Sequence, residues 1–298
     1  MHVHGDRGRG ALTAALVLVL GLMAGEIAGG IVAHSLALLA DAGHLLTDAA
    51  AIGAAIVAAA LAARPAKGAL TFGLGRAEIL AAQGNGITLL LVAVWIVYAA
   101  VRRLISPSVV HGGIVLVVAL AGVAVNLVAT GVLARADRTS LNVRGAFLHV
   151  ATDLAAFAAT AVAGALVLAT GWNRFDPIAS LLVAALMVRS SWSLLRDSGR
   201  IFLEAAPADI DPDVVAAVLA ADPDVVEVHD LHVWTVTSGF PALAAHVLVS
   251  PETDCHAARR RLQQLLADRF GLKHTTLQVD HVARRSQPVS IGRREPER

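Results

Sequence analysis

The sequence predicts an α-helical membrane protein with six transmembrane helices, followed by a domain of mixed helices and strands. Its 298 residues are 56% hydrophobic and 16% charged, whereas soluble domains have about 25% charged residues. The apolar residues are gathered into long stretches, and a span needs about 20 of them. After residue 203 the composition becomes more polar and the apolar residues recur at helix and strand spacing. We therefore expect two parts, one in the bilayer and one outside it.

Six apolar stretches are the predicted transmembrane helices. The first is longer than the apolar region of a signal peptide, which has about 7–15 residues, so we interpret it as a retained span. The six stretches run roughly over residues 11–33, 35–62, 77–101, 111–134, 142–170 and 176–195.

The basic residues of the short loops predict the orientation, because Lys and Arg accumulate on the cytoplasmic side. With six spans, both termini are then expected in the cytoplasm. The side with more basic residues has Arg7, Arg9, Arg64, Lys67, Arg76, Arg135, Arg138, Arg144, Arg196 and Arg200, and the other has Arg102, Arg103 and Arg174.

The chain after the sixth span predicts a small α+β domain. Asp211-Pro212 begins a helical pattern, "VVEVHDLHVWTV" and "PALAAHVLV" read as strands joined by a turn, and Thr253 or Asp254 can cap a helix that Gly271 ends. The sequence "HTTLQVDH" is the last strand. The order α-β-β-α-β suits a two-layer domain of ferredoxin-like type.

These patterns divide the chain into four parts. We expect a flexible cytoplasmic N-terminus over 1–10, a six-span transmembrane domain over 11–203, a cytoplasmic ferredoxin-like domain over 204–283 and a disordered tail over 284–298.

Two pairs of ionisable residues lie inside the predicted spans. His44 and Asp48 are four residues apart in the second span, and His149 and Asp153 repeat the spacing in the fifth. Each pair shares a helix face. Their helices start on opposite sides, which puts all four residues about 11–20 Å into a core about 30 Å thick.

Two imidazoles and two carboxylates can form a tetrahedral metal site. A divalent cation would neutralise both carboxylates, which are costly in a bilayer without a partner. The alternative is a structural cluster held by hydrogen bonds alone. Asp41 precedes His44 by one turn, and we expect it either to support His44 or to act as an attracting charge at the outer exit.

At these residues the chain resembles the cation diffusion facilitator family, in particular its bacterial zinc/cadmium/cobalt efflux branch. The resemblance covers about residues 11–282. It is carried by "GEIAGGIVAHSLALLADAGHLLTDAAA", "FGLGRAEILAA", "GVAVNLVA", "AFLHVATDLAAF", "HDLHVWTVTSGFPALAAHV" and "HTTLQVD".

The resemblance implies a homodimeric secondary-active transporter, not an enzyme, in the bacterial inner membrane. It implies export of a divalent cation, chiefly Zn²⁺ with Cd²⁺ or Co²⁺, in exchange for protons by alternating access. The transport ligands it implies are His44, Asp48, His149 and Asp153. It also places Arg76 near a dimer interface at the membrane surface, where Glu204 is the expected ion-pair partner.

The soluble domain contains a cluster of histidines. The resemblance implies a candidate regulatory zinc site formed by His229, His246, His274 and Asp280, and Gln278 stands where some members of the family have a ligating histidine. Strand alternation predicts that His229 and His232 lie on opposite faces of the sheet. The alternative is that several of these histidines are ordinary surface or core residues.

Composition and motifs exclude several other functions. A net charge of +1 gives no electrostatic basis for binding nucleic acid, and a single cysteine excludes a cysteine-rich metal cage. We expect no organic cofactor. The alternative function is a membrane-anchored sensor of cytosolic metal. An intramembrane metalloenzyme is disfavoured because no H-E-x-x-H motif is present and four protein ligands leave no open position for water.

Overall fold

A computed structural model describes residues 20–134 and 141–282, with backbone alone over 129–134 and 141–151. The chain divides into two compact units. The first comprises Met1–Ala58 with Leu80–Asp197, and the second comprises Ala59–Ile79 with Ser198–Arg298. The predicted flexible N-terminus and the tail after 284 lie outside the described residues.

The described residues form six helices in the membrane part, as predicted. Among the described residues, four helices have the length and apolarity to cross a membrane, and two shorter apolar helices accompany them. Residues 11–19 of the predicted first span lie outside the description. The helices are α1 (Leu20–Ala33), α2 (Leu36–Ala62), α3 (Ala77–Ile105), α4 (Gly112–Ala134), α5 (Leu141–Thr170) and α6 (Phe175–Phe202).

Helix α6 continues past residue 195, where the apolar pattern ends, to Phe202. Its last two turns contain Arg196 and Arg200. The backbone hydrogen bonds of a helix do not require apolar side chains. The helix can therefore extend beyond the apolar residues that define the membrane span.

A buried carboxylate anchors the start of α2. Asp176, which is 1% exposed, accepts hydrogen bonds from the Ser35 hydroxyl, from Leu36 N at 2.8 Å and from Ala37 N at 3.3 Å. Arg103 Nη1 lies 3.5 Å from the Asp176 carboxylate. The first amide groups of a helix have no partner inside it, so an acceptor from α6 satisfies them and fixes α2 against α6.

Helices α2, α3, α5 and α6 share an apolar core of small and large side chains. Its residues are Ala40, Leu89, Ala93, Ile96, Ala156, Val183, Ala184 and Met187.

Helix α4 packs tightly on α5 through glycine. A Cβ atom at Gly122 would overlap the ring of Phe157, which is fully buried, and one at Gly112 would lie 2.7 Å from Gly164 O. Small residues let membrane helices approach closely. The contact at Phe157 fixes the part of α5 that carries Asp153, one turn earlier.

The second unit contains the predicted order of helices and strands. Asp211 caps α7 by accepting from Asp213 N, and Asp254 caps α8 by accepting from His256 N and Ala257 N. These bonds lower the pKa of Asp254, because they favour its charged form. The elements are α7 (Pro212–Ala220), β1 (Val225–Thr237), β2 (Phe240–Val249), α8 (Cys255–Phe270) and β3 (His274–His281).

The three strands form one sheet in the order β1-β2-β3. Strands β1 and β2 are antiparallel, and β2 and β3 are parallel. One face packs on α7 and α8 in a single core, whose strand residues include Val233, Leu243, Val247 and Leu277. The histidine of β2, His246, alternates with these residues and therefore lies on the opposite face.

Replacing Gly122 by alanine should destabilise the membrane part, because the new methyl group has to displace the buried Phe157 ring. Overpacking of this kind costs about 1–3 kcal/mol. Thermal unfolding of the purified protein in detergent measures the effect. Gly53→Ala in α2 is the matched control, since its Cβ would meet no atom within 4 Å. Equal melting temperatures for the two variants would contradict the predicted packing.

Candidate metal sites

Helix α2 carries the first two predicted ligands. His44 and Asp48 are one turn apart, and His44 Nε2 lies 3.7 Å from Asp48 Oδ2. The His44 side chain is 9% exposed and that of Asp48 is 22% exposed. The Thr47 hydroxyl donates to His44 O at 2.7 Å, so the backbone of α2 itself satisfies this buried hydroxyl group.

Helix α5 brings a second carboxylate to the same imidazole. Asp153 Oδ1 lies 3.5 Å from His44 Nε2, and its side chain is 10% exposed. His44 is therefore placed between carboxylates from two helices that are far apart in the sequence. A buried imidazole flanked by carboxylates can either carry a proton or share a cation with them.

The fourth predicted ligand, His149, belongs to α5 and precedes Asp153 by one helical turn. Its side chain lies outside the described residues. Its role as a ligand stays a prediction.

Two more carboxyl groups are buried near this site. Glu26 on α1 is 0% exposed and Asp41 on α2 is 1% exposed. The carboxyl groups of Glu26 and Asp41 interact with each other. The burial of Asp41 argues against the expected alternative of a surface charge at the outer exit, since such a charge would face water.

A second cluster of ligand atoms lies on the open face of the sheet. His229, Asp230 and His246 each offer one ligand atom, and these atoms lie within 4.8 Å of one another. His229 and His246 are directly opposite in β1 and β2, with ring centroids 5.3 Å apart. Two imidazoles and a carboxylate are a donor set suited to zinc, with a fourth position left for water or another ligand.

The prediction that His229 and His232 lie on opposite faces is wrong. His229 pairs with His246 and His232 pairs with Ala244, so three steps along β1 match two along β2. The extra residue is a β-bulge, which resets the alternation of side chains. Asp230 in the bulge has a φ of 48°, a left-handed conformation that aspartate tolerates better than most residues.

The bulge also explains why sequence reasoning missed Asp230. Regular alternation would put its carboxylate on the other face from His229, whereas here Asp230 Oδ2 lies 3.7 Å from His246 Nδ1. Asp230, His232 and His246 line a shallow cavity of about 310 Å³.

The structure does not bring His274 or Asp280 into this cluster. His274 pairs with Ala242, four residues from His246 and hence about 13 Å along the strand. Its ring contacts the rings of Phe240 and Phe72, at centroid distances of 5.1 and 6.1 Å. Asp280 accepts a hydrogen bond from Gln278, the partner of His246, at 2.8 Å.

The loop between α2 and α3 contacts the sheet within the second unit. Thr237 donates to Gly75 O at 2.8 Å, and Arg76 Nε donates to Val236 O at 3.1 Å. Arg76 Nη2 lies 3.4 Å from Glu204 Oε1, which is the expected ion pair. Both side chains are substantially exposed, so the pair contributes at most about 1 kcal/mol.

Comparison with known proteins identifies the family. Residues 12–203 match the cation efflux transmembrane domain, and residues 207–282 match the cation efflux protein cytoplasmic domain. The chain belongs to the cation efflux family, which is also called the cation diffusion facilitator family, and it is a multi-pass membrane protein.

Its relatives resemble it over almost their whole length. It is 38% identical to the metal cation efflux system protein CzcD of Cupriavidus metallidurans over 94% of this chain and 89% of that protein. It is 37% identical to the zinc transporter ZitB of Escherichia coli, over 94% of this chain and 90% of that protein. It is 34% identical to the cadmium, cobalt and zinc/H(+)-K(+) antiporter of Bacillus velezensis, over 95% of this chain and 92% of that protein.

A solved structure also matches the C-terminal part. The metal-bound C-terminal domain of the CzcD transporter from Cupriavidus metallidurans is 35% identical, with a TM-score of 0.23, over 24% of this chain and 97% of that one.

Replacement of His229 or His246 by alanine should remove one bound zinc ion per chain from the full-length protein, because the cluster loses an imidazole ligand. Asp230→Asn should weaken zinc binding there by at least about 10-fold, since even the loss of a residue that only supports a ligand has an effect of this size. Equilibrium dialysis with metal analysis measures both effects. His274→Ala is the control, and removal of the same ion by this variant would contradict the assignment.

Proposed function

We propose that this protein exports divalent metal cations, with Zn²⁺ as the principal substrate and Cd²⁺ and Co²⁺ as further ones. The observation that carries the proposal is the burial of His44 between two carboxylates from separate helices of a membrane domain. The relatives whose names state zinc, cadmium or cobalt transport support the choice of metals. Imidazole also suits these metals better than Mg²⁺ or Ca²⁺.

The proposed transport site consists of His44, Asp48, His149 and Asp153. Two helices supply it, α2 and α5, so a relative movement of these helices would change both the ligand geometry and the side from which the site is reached. Zinc would exchange its water for two imidazole and two carboxylate ligands, at bond lengths of about 2.0–2.2 Å. The present distances between His44 and the carboxylates allow an ion to sit among them after small side-chain rotations.

Proton exchange follows from the chemistry of these ligands. A histidine binds metal only when it is neutral and a carboxylate only when it is ionised, so metal binding releases protons. Protons that arrive from the outer side then compete for the same nitrogen and oxygen atoms and displace the metal. The same residues can thus couple export to proton entry without a separate relay.

We further propose a homodimer in the bacterial inner membrane with both termini in the cytoplasm. The distribution of Lys and Arg supports the orientation. The second unit would then lie on the cytoplasmic side, and Arg76 with Glu204 would lie at the membrane surface near the dimer interface. The match to the family's cytoplasmic domain supports dimerisation.

The cytoplasmic histidines are proposed as a regulatory zinc site. The predicted set was His229, His246, His274 and Asp280, and the geometry favours His229 and His246 with Asp230 as its core. This cluster is also the observation that favours a sensor of cytosolic metal as the second candidate function. The sensor alone gives no reason for buried ligands in the membrane, which the transporter requires.

Asp153→Asn should abolish zinc transport. The amide keeps the shape of the side chain but removes the charge that a divalent ion needs. Loss of a residue that only supports a ligand already reduces metal affinity by about 10–100-fold, and loss of the ligand itself should cost at least as much. The rate of zinc transport is measured as zinc influx into proteoliposomes that contain a fluorescent zinc chelator. Asp197→Asn is the control, because Asp197 is exposed near the end of α6. Full activity of Asp153→Asn would contradict the site.

Zinc uptake into inverted membrane vesicles should require an interior more acidic than the bath. The interior corresponds to the outer side, where protons displace the bound metal. An ionophore that collapses the pH gradient should reduce uptake to the level of vesicles without the protein. Uptake that continues unchanged would contradict proton coupling, while leaving the metal site itself intact.

A further inference from the structure

We propose that His34 and His111 form a further metal site at the end of the membrane helices where α1 joins α2 and α3 joins α4. It would bind a transition metal ion that prefers imidazole, such as Zn²⁺, Cu²⁺ or Ni²⁺. In the proposed orientation this is the outer face of the membrane. The site is separate from the transport ligands, since His44 lies eight residues, or about 12 Å, beyond the first residue of α2, Leu36.

The two imidazoles are at a suitable distance for one shared ion. The ring centroids of His34 and His111 are 6.2 Å apart with a tilt of 33°. With a metal–nitrogen bond of about 2.0–2.1 Å, each ring centre lies about 3.2 Å from the ion, so two ligating rings have centres about 5.2 Å apart at a tetrahedral angle and about 6.4 Å apart at most. Rotation of the side chains that brings the two rings about 1 Å closer would therefore complete a tetrahedral arrangement. Both residues are exposed, so an ion can reach them from water.

The backbone holds both histidines in place before any ion arrives. His111 N donates to Ala33 O at 3.0 Å, which links the two connections directly. Arg103 Nη1 donates to His34 O at 2.7 Å, and Ser35 N donates to Gly30 O at 2.9 Å. Because the backbone at both histidines is already fixed, binding an ion restricts mainly the rotation of the two side chains.

The conformation of His34 ends helix α1. Its φ is 53°, and the chain makes the two hydrogen bonds of a Schellman cap, from Ser35 N to Gly30 O at 2.9 Å and from His34 N to Ile31 O at 3.3 Å. This cap fixes the point at which the imidazole of His34 leaves the helix.

The nearby charges do not exclude a cation. The guanidinium of Arg103 is close to the backbone of His34, but it lies 3.5 Å from the carboxylate of Asp176, which offsets its charge. Two imidazoles leave further coordination positions for water. The geometry therefore points to an exchangeable ion rather than to a permanently bound structural one.

Residue-resolved chemical protection tests the site without measuring transport. The full-length protein in lipid nanodiscs is treated with diethylpyrocarbonate at increasing Zn²⁺, and modification of each histidine is quantified by peptide mass spectrometry. His34 and His111 should become protected together, with one half-saturating concentration. His256, which is exposed on α8, is the comparison residue and should stay reactive over that range.

Variants distinguish a shared ion from independent effects. His111→Ala should raise the zinc concentration that protects His34 by roughly tenfold or more, because the second ligand of a chelate acts intramolecularly. His34→Ala should have the same effect on His111, whereas His256→Ala should leave both unchanged. Protection of His34 that is unaltered by His111→Ala, or no protection of either residue at 1 mM Zn²⁺, would overturn the proposal.

Discussion

The burial of ionisable side chains among apolar helices is the constraint on which the rest of this structure depends. His44, Asp48 and Asp153 lie in a membrane domain, where a charged group without compensation is strongly unfavourable. The imidazole between the two carboxylates provides one form of compensation and a divalent cation provides another. Because protons and metal ions neutralise the same groups, a site that tolerates burial by this means is also a site that can exchange the two.

The surrounding fold serves this constraint by fixing the helices that carry the ligands. Asp176 satisfies the amide groups at the start of α2, and Gly122 allows α4 to pack against Phe157 of α5. One interaction uses charge and hydrogen bonding, and the other uses close packing. Both act within one or two turns of a ligand or at the end of its helix, so each fixes a ligand-bearing helix against a neighbouring helix.

Much of this was predictable from the sequence, because the relevant signals are local. The spans follow from apolar length, the caps of α7 and α8 from Asp211 and Asp254, and the H-x-x-x-D pairs from helical periodicity. The bulge in β1 was not predictable, since it arises from the pairing of β1 with β2. That single extra residue joined Asp230 to His229 and His246, and the register of β3 separated His274 from them.

X-ray absorption at the zinc edge determines whether the buried residues of the membrane helices bind the metal. The sample is the full-length protein with one equivalent of Zn²⁺. It carries His34→Ala, His111→Ala, His229→Ala and His246→Ala, so that neither the outer histidine pair nor the cytoplasmic cluster competes. We expect four nitrogen or oxygen ligands at about 2.0–2.2 Å with the outer-shell scattering of two imidazoles. A spectrum with a sulfur ligand or six oxygen ligands, or one unchanged by Asp153→Asn, would contradict this expectation.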